Sequence, residues 1–153
     1  MKKLLLAALL AFATTGVFAQ ATVTETAASK ALIEVIKEVS TQHWGFISPE
    51  KALDFIDNVN PFILDVRTPK EWDETGVIPG AVKITLTELN QHLSELPPLN
   101  KPILVYCKAG ARGQYALTYL KVLGYKNVKN LKGGITAWIS AGSRSRATTP
   151  SMA

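Results

Sequence analysis

The sequence contains a single cysteine, Cys107, followed by Lys108, Ala109, Gly110, Ala111, Arg112 and Gly113. A thiol ahead of small residues and two cations suits nucleophilic chemistry, because the reactive form of cysteine is the anionic thiolate. The residues on either side say how such a thiol is held. Ile103-Leu104-Val105-Tyr106 is an apolar run with the character of a buried strand. Ala116, Leu117, Leu120 and Leu123 recur at helical spacing. The cysteine thus lies at the C-terminal end of a strand, facing the N-terminus of a helix. Unpaired amides and the positive end of the helix dipole favour an anion there. Such a setting lowers a cysteine pKa by units from its free value of ~8.5. Gly110 permits a turn whose N–H groups converge on an anion. A lone cysteine is often just a small buried apolar side chain. The glycine and arginine at fixed offsets favour a working one.

The 153-residue chain is long enough for one domain with a real core, and 47% apolar against 19% charged residues excludes a disordered polyelectrolyte. Residues 1–19 read as a secretory leader. Lys2 and Lys3 form its charged start, Leu4 to Phe12 its apolar stretch, and Val17-Phe18-Ala19 its cleavage site, with Ala21 as an alternative. The apolar stretch is shorter than the ~20 residues that span a bilayer. The expectation is an exported, periplasmic protein with no membrane attachment after cleavage. Removing Lys2 and Lys3 leaves 15 basic against 12 acidic residues, a net charge of +3 that is too weak to imply a nucleic-acid partner. One cysteine forms no internal disulfide, and an unpaired thiol in an oxidising compartment is a liability unless it is used.

Residues 20–40 form an N-terminal extension, with Leu32, Val35, Ile36 and Val39 on one helical face. It is either a helix packed on the domain or a loosely docked arm. The domain proper spans 41–142. Trp44 to Ile47 suits a first strand. Ser48-Pro49-Glu50 is a helix start, with a capping serine and a proline at the first helical position. Phe62 to Val66 is a buried strand, and Thr68 to Trp72 opens a helical turn. Val82 to Ile84 is a brief strand. Leu86, Leu89 and Leu93 mark a short helix stopped by Pro97-Pro98. Val128 to Leu131 is a last strand, and a final helix runs from Ile135 to Ser140. Residues 143–153 read as a flexible tail. Strands alternating with helices predict an α/β fold, a parallel sheet flanked by helices on both faces, with ligands at the carboxyl ends of the strands.

Four blocks then carry a resemblance. Leu64-Asp65-Val66-Arg67 with Glu71-Trp72, Gly76 to Ala81, Tyr106-Cys107 to Arg112, and Gly124 to Val128 with Leu131 to Gly134 and Ala137-Trp138 occur in that order. The stretch from about Trp44 to Gly142 resembles a single-domain rhodanese, of the thiosulfate sulfurtransferase family. Two positions depart from its pattern. Val77 stands where histidine is usual, and Gly113 where serine often follows the loop arginine.

The resemblance implies a rhodanese-like fold and sulfur transfer through a persulfide on Cys107, with no cofactor and no metal. It implies that the loop from Lys108 to Gly113 holds a small anionic sulfur donor such as thiosulfate. The acceptor would be a thiol or a cyanide-like nucleophile, or a periplasmic protein. Four residues separate Cys107 from Arg112, whereas cysteine phosphatases usually carry five, commonly after a histidine. A phosphatase or arsenate reductase is therefore the weaker alternative, as is a non-catalytic binding module on the same fold. Asp65 and Arg67 are read first as a structural pair and second as pocket residues, since a charge at a buried strand end needs a partner. His43 and His92 have no ligand spacing. Trp72 and Trp138 are expected in the core.

Overall fold

The computed structural model describes residues 25–142. The expected leader, residues 1–19, the first part of the extension, residues 20–24, and the tail, 143–153, lie outside them. None of the described helices is long and apolar enough to cross a membrane.

Among the described residues, five strands form one parallel sheet in the order β1-β5-β4-β2-β3. They are β1 (Phe46–Ile47), β2 (Phe62–Asp65), β3 (Val82–Lys83), β4 (Ile103–Tyr106) and β5 (Val128–Leu131). The helices are α1 (Ala27–Thr41), α2 (Pro49–Val59), α3 (Pro69–Thr75), α4 (Ala111–Val122) and α5 (Gly134–Ser140). Every strand runs the same way, so every strand ends at one edge. β4 is central, and all four of its residues are buried, as a parallel strand covered on both faces must be.

The side chains of β4 alternate between two cores. Ile103, Val105 and Cys107 join Leu64, Val66, Val128 and the inner face of α4. Leu104 and Tyr106 join Ile63, Leu131, Ile135 and Trp138 on the opposite face. Cys107 is therefore the third residue in a row aimed at α4, one position beyond the strand. Its direction follows from the two-residue period.

Val35 and Val39 of α1 belong to the α4-side core. At the foot of that helix, Lys121 of α4 donates to Glu38 at 2.8 Å and to the Lys126 carbonyl at 3.1 Å. The amphipathic segment is thus a packed helix and not a loose arm.

Three local expectations change. The first strand is only Phe46–Ile47, because His43, Trp44 and Gly45 form a 3-10 turn with φ of 52°, 58° and 73°. The left-handed backbone breaks the extended run that the apolar residues suggested. The expected helix around Leu86 to Leu93 is two 3-10 turns, Leu89–Gln91 and Leu93–Glu95. Only Leu89 is fully buried there, too little apolar anchorage to draw out a regular helix. Trp138 is fully buried, but Trp72 is half-buried, with the Lys83 ammonium 5.3 Å from its ring centre.

Candidate active site

Cys107 leaves β4 almost fully buried. Its Sγ accepts a hydrogen bond from the Gly110 N–H at 3.1 Å. Gly110 has φ 107° and caps α4, a backbone conformation that side chains disfavour. The chain between them folds back so that the first amides of α4 follow the sulfur directly. The N–H groups of Ala111, Arg112 and Gly113 have no partner among the described residues, as expected in the first turn of a helix. The structure thus brings Cys107 together with the loop from Lys108 to Gly113, with one backbone donor, the Gly110 N–H, on the sulfur and three unpartnered amides in the helix start that follows. Such donors stabilise negative charge on a sulfur or on a bound anion.

The underside of the loop is held by α5. The Ile135 N–H donates to the Cys107 carbonyl at 2.8 Å, and the Thr136 N–H to the Lys108 carbonyl at 3.2 Å. These contacts require Gly134. It has φ 58°, and a Cβ there would strike the Cys107 carbonyl and the Lys108 backbone. The Gly133-Gly134 pair therefore makes a close approach to the loop as well as the strand-to-helix turn that its sequence suggests.

Arg112 does not extend freely from the loop. Its Nη1 donates to Glu71 Oε2 at 2.7 Å and its Nη2 to Oε1 at 2.6 Å. Glu71 Oε2 also accepts the Thr68 N–H and hydroxyl, each at 3.0 Å, which closes the first turn of α3. The Arg112 guanidinium holds the Glu71 carboxyl down, from an ordinary 4.5 to about 2. Glu71 raises the pKa of Arg112 in turn, against the opposing effect of partial burial. Arg112 is thus anchored to a neighbouring helix while its side chain stays one-third exposed.

Asp65 and Arg67 are both fully buried at the end of β2. Arg67 donates from Nε to Asp65 Oδ1 at 3.0 Å and from Nη2 to Oδ2 at 2.7 Å, and its own N–H also meets Oδ1. Its remaining donors reach the carbonyls of Glu71 and Gly76 and the Thr75 hydroxyl. Burial pulls the Arg67 pKa down, but Asp65 outweighs it and the net direction is up. The guanidinium lies 5.6 Å from the Tyr106 ring centre. Burial, with Asp65 adding to it, pushes the Tyr106 hydroxyl up, and that hydroxyl accepts from the Ile78 N–H at 3.0 Å. Arg67 therefore fastens α3, and with it Glu71, to the sheet. It also borders a cleft of about 230 Å³ shared with Glu71, Lys108, Ile135, Thr136 and Ile139.

Three residues that support the loop were not singled out as site residues from sequence: Glu71, Gly134 and Asn130. Glu71 and Gly134 stand in the quoted motif blocks, but nothing local shows that one meets Arg112 and the other Cys107. Asn130 is a polar residue inside an apolar strand, a signal of a buried hydrogen-bonding role.

Comparison with known proteins agrees with this geometry. The rhodanese-like domain family matches residues 48–141. A sulfurtransferase of Allochromatium vinosum is 37% identical over 86 residues, 56% of this chain and 78% of that protein. The thiosulfate sulfurtransferase GlpE of Pseudoalteromonas translucida is 31% identical over 95 residues, 62% of this chain and 89% of that protein. Against the probable adenylyltransferase/sulfurtransferase MoeZ of Mycobacterium tuberculosis the identity is 36% over 95 residues, but the match spans only 24% of that longer protein. Among solved structures, a rhodanese-related protein from Thermoplasma volcanium superposes with a TM-score of 0.57 at 31% identity, covering 63% of this chain and 92% of that one. The human single-domain sulfurtransferase TSTD1 does so with a TM-score of 0.56 at 26% identity, covering 63% and 96%. These relatives support sulfur transfer as the general activity. With the parallel sheet, the cysteine loop and the family match in agreement, the chain belongs to the rhodanese-like domain family.

Proposed function

We propose that this protein is a sulfurtransferase that carries a sulfane sulfur on Cys107 as a persulfide. The observation that carries the reading is the placement of Sγ: at the end of the central strand, bonded to the Gly110 N–H and followed by the free amides of α4. In the first step the Cys107 thiolate attacks the outer sulfur of thiosulfate or a related anionic donor. A new S–S bond forms, the donor's own S–S bond breaks, and its electron pair leaves on sulfite. In the second step a thiol or cyanide attacks the outer sulfur of the persulfide and returns Cys107 as thiolate. Dividing the transfer in this way is covalent catalysis.

Lys108 and the open edge of Arg112 attract the anionic donor, and the loop amides hold the terminal sulfur of the persulfide. The leader-like residues 1–19 support an exported, periplasmic site of action, where the acceptor is a small nucleophile or a partner protein. Thiosulfate:cyanide turnover with purified protein tests the chemistry, and N-terminal sequencing of native protein tests the export. Steady turnover that disappears in Cys107→Ser supports the proposal. A protein that never takes sulfur from any anionic donor would be a binding module on this fold.

A further inference from the structure

Asn130 is fully buried at the third position of β5, on the face covered by α4. Its Nδ2 donates to the Gly110 carbonyl at 3.0 Å and to Gln114 Oε1 at 3.1 Å. The orientation of the carboxamide is settled by the first of these, because a carbonyl only accepts. Its Oδ1 is buried with no hydrogen-bond partner among the described residues. That oxygen lies against Gly113: a Cβ added to Gly113 would strike Oδ1, and the nearest heavy atoms around it all belong to the Asn130 carboxamide. The chain therefore keeps a buried oxygen unsatisfied, which is costly, in an arrangement that only a glycine at 113 leaves room for.

We propose that Asn130 is a positioning residue for the Cys107 loop. Seated under the bare Cα of Gly113, it joins the Gln114 N–H, 3.1 Å from the same oxygen, in holding the Gly110 carbonyl inward. A trans peptide is planar, with its C=O and N–H pointing in opposite directions. A Gly110 carbonyl held toward β5 therefore turns the Ala111 N–H the other way, to the outer side of the loop. The same clamp limits rotation of Gly110, whose own N–H is the donor to Cys107 Sγ. Gln114 extends the clamp, accepting from Asn130 and donating from Nε2 to the Trp44 carbonyl at 3.0 Å. Two glycines with different duties flank the clamp. Gly110 supplies the left-handed turn, and Gly113 supplies the space. The absence of a serine at 113 is, on this reading, what lets Asn130 take up its position.

The inference rests on Cys107 being the working nucleophile, and its test separates the two ideas. Asn130→Ala, Gly113→Ala and the double variant are compared by the alkylation rate of Cys107 with iodoacetamide as a function of pH, and by thiosulfate kinetics. Gly113→Ala pushes the carboxamide aside without removing it, so it reports on the clamp even if Asn130→Ala folds poorly. Each single variant is expected to slow alkylation at neutral pH by about three- to tenfold, the range of one lost hydrogen bond. The alkylation profile should move to higher pH, and kcat should fall more than KM changes. The double variant should be no slower than Asn130→Ala alone, since both changes break one contact. A purely structural asparagine would alter the melting temperature and leave the alkylation profile in place. Wild-type alkylation in folded Gly113→Ala, or losses that multiply in the double variant, would overturn the role given to Asn130. Wild-type protein that alkylates readily but accepts no sulfur would instead overturn the proposed function, while the alkylation comparison would still decide the clamp.

Discussion

Arg112 and Glu71, 41 residues apart in sequence, meet in a two-point ion pair that joins the start of α4 to the first turn of α3. One carboxylate thereby completes a helix cap and fixes the arginine of the cysteine loop. The guanidinium keeps an open edge toward solvent, so its charge reaches an incoming anion while its geometry is set from behind.

The pair makes stability depend on acid. The Glu71 carboxyl is held at about 2 against an ordinary 4.5. A carboxyl lowered in the folded state stabilises that state fully above its unfolded value and loses the contribution as pH falls toward the folded value. Glu71→Gln should therefore be less stable than wild type above about pH 5, by ~1–3 kcal/mol once solvent screening of the partly exposed arginine is allowed for. The gap should close between about pH 4.5 and 2. Urea unfolding of both proteins across that range measures it, and a gap that stays constant with pH would remove the ion pair from the account.

Arg112→Ala should lower kcat/KM for thiosulfate by about one to two decades, the worth of a charge-assisted hydrogen bond. Beyond the lost cation, the substitution leaves the Glu71 carboxylate unpaired near the loop, where it repels an anionic donor. Glu71→Gln combined with Arg112→Ala should then recover part of the loss, and the recovery should shrink at high salt. A double variant slower than Arg112→Ala alone would contradict this.

Asp65 and Arg67 form a buried pair, and removing one member strands the other charge. Asp65→Ala and Arg67→Met are each expected to cost ~3–5 kcal/mol. Because Arg67 also binds carbonyls at Glu71 and Gly76, its loss should expose α3 to proteolysis before the rest of the domain. Stability within ~1 kcal/mol of wild type would show that the pair is not structural.

Gly134→Ala places a methyl group against the Cys107 carbonyl and the Lys108 backbone. Neither backbone segment has room to move without breaking the amide contacts from Ile135 and Thr136. Turnover should fall by at least ~10-fold, about 1.4 kcal/mol of transition-state stabilisation. Gly142→Ala serves as the control, because it shares the left-handed backbone, with φ 79°, but a Cβ there meets nothing within 4 Å. Equal turnover in both variants would mean that the close approach at Gly134 does not matter.

Much of this fold is written in local periodicity. Ile103 to Tyr106 and Phe62 to Leu64 are short apolar runs that suit buried strands, and the two-residue period aims Cys107 at α4. The Ser48-Pro49 helix start is equally local. The left-handed turn at His43 and Trp44 is not, because it is closed by distant contacts such as Gln114 to the Trp44 carbonyl. The chemistry divides in the same way. Cys107, Gly110 and Arg112 lie within six residues, so their joint meaning is readable along the chain. The residues that hold them, Glu71, Asn130 and Gly134, come from three other elements and act only through tertiary packing.

The central claim is that Cys107 carries the transferred sulfur. Intact-mass analysis of the full protein after incubation with thiosulfate, without acceptor, tests it most directly. The account predicts one added sulfur on wild-type protein, removed on addition of cyanide with release of thiocyanate, and none on Cys107→Ser, whose fold should be unchanged. Sulfur added to Cys107→Ser, or no addition to a wild-type protein that turns over thiosulfate and cyanide, would contradict it.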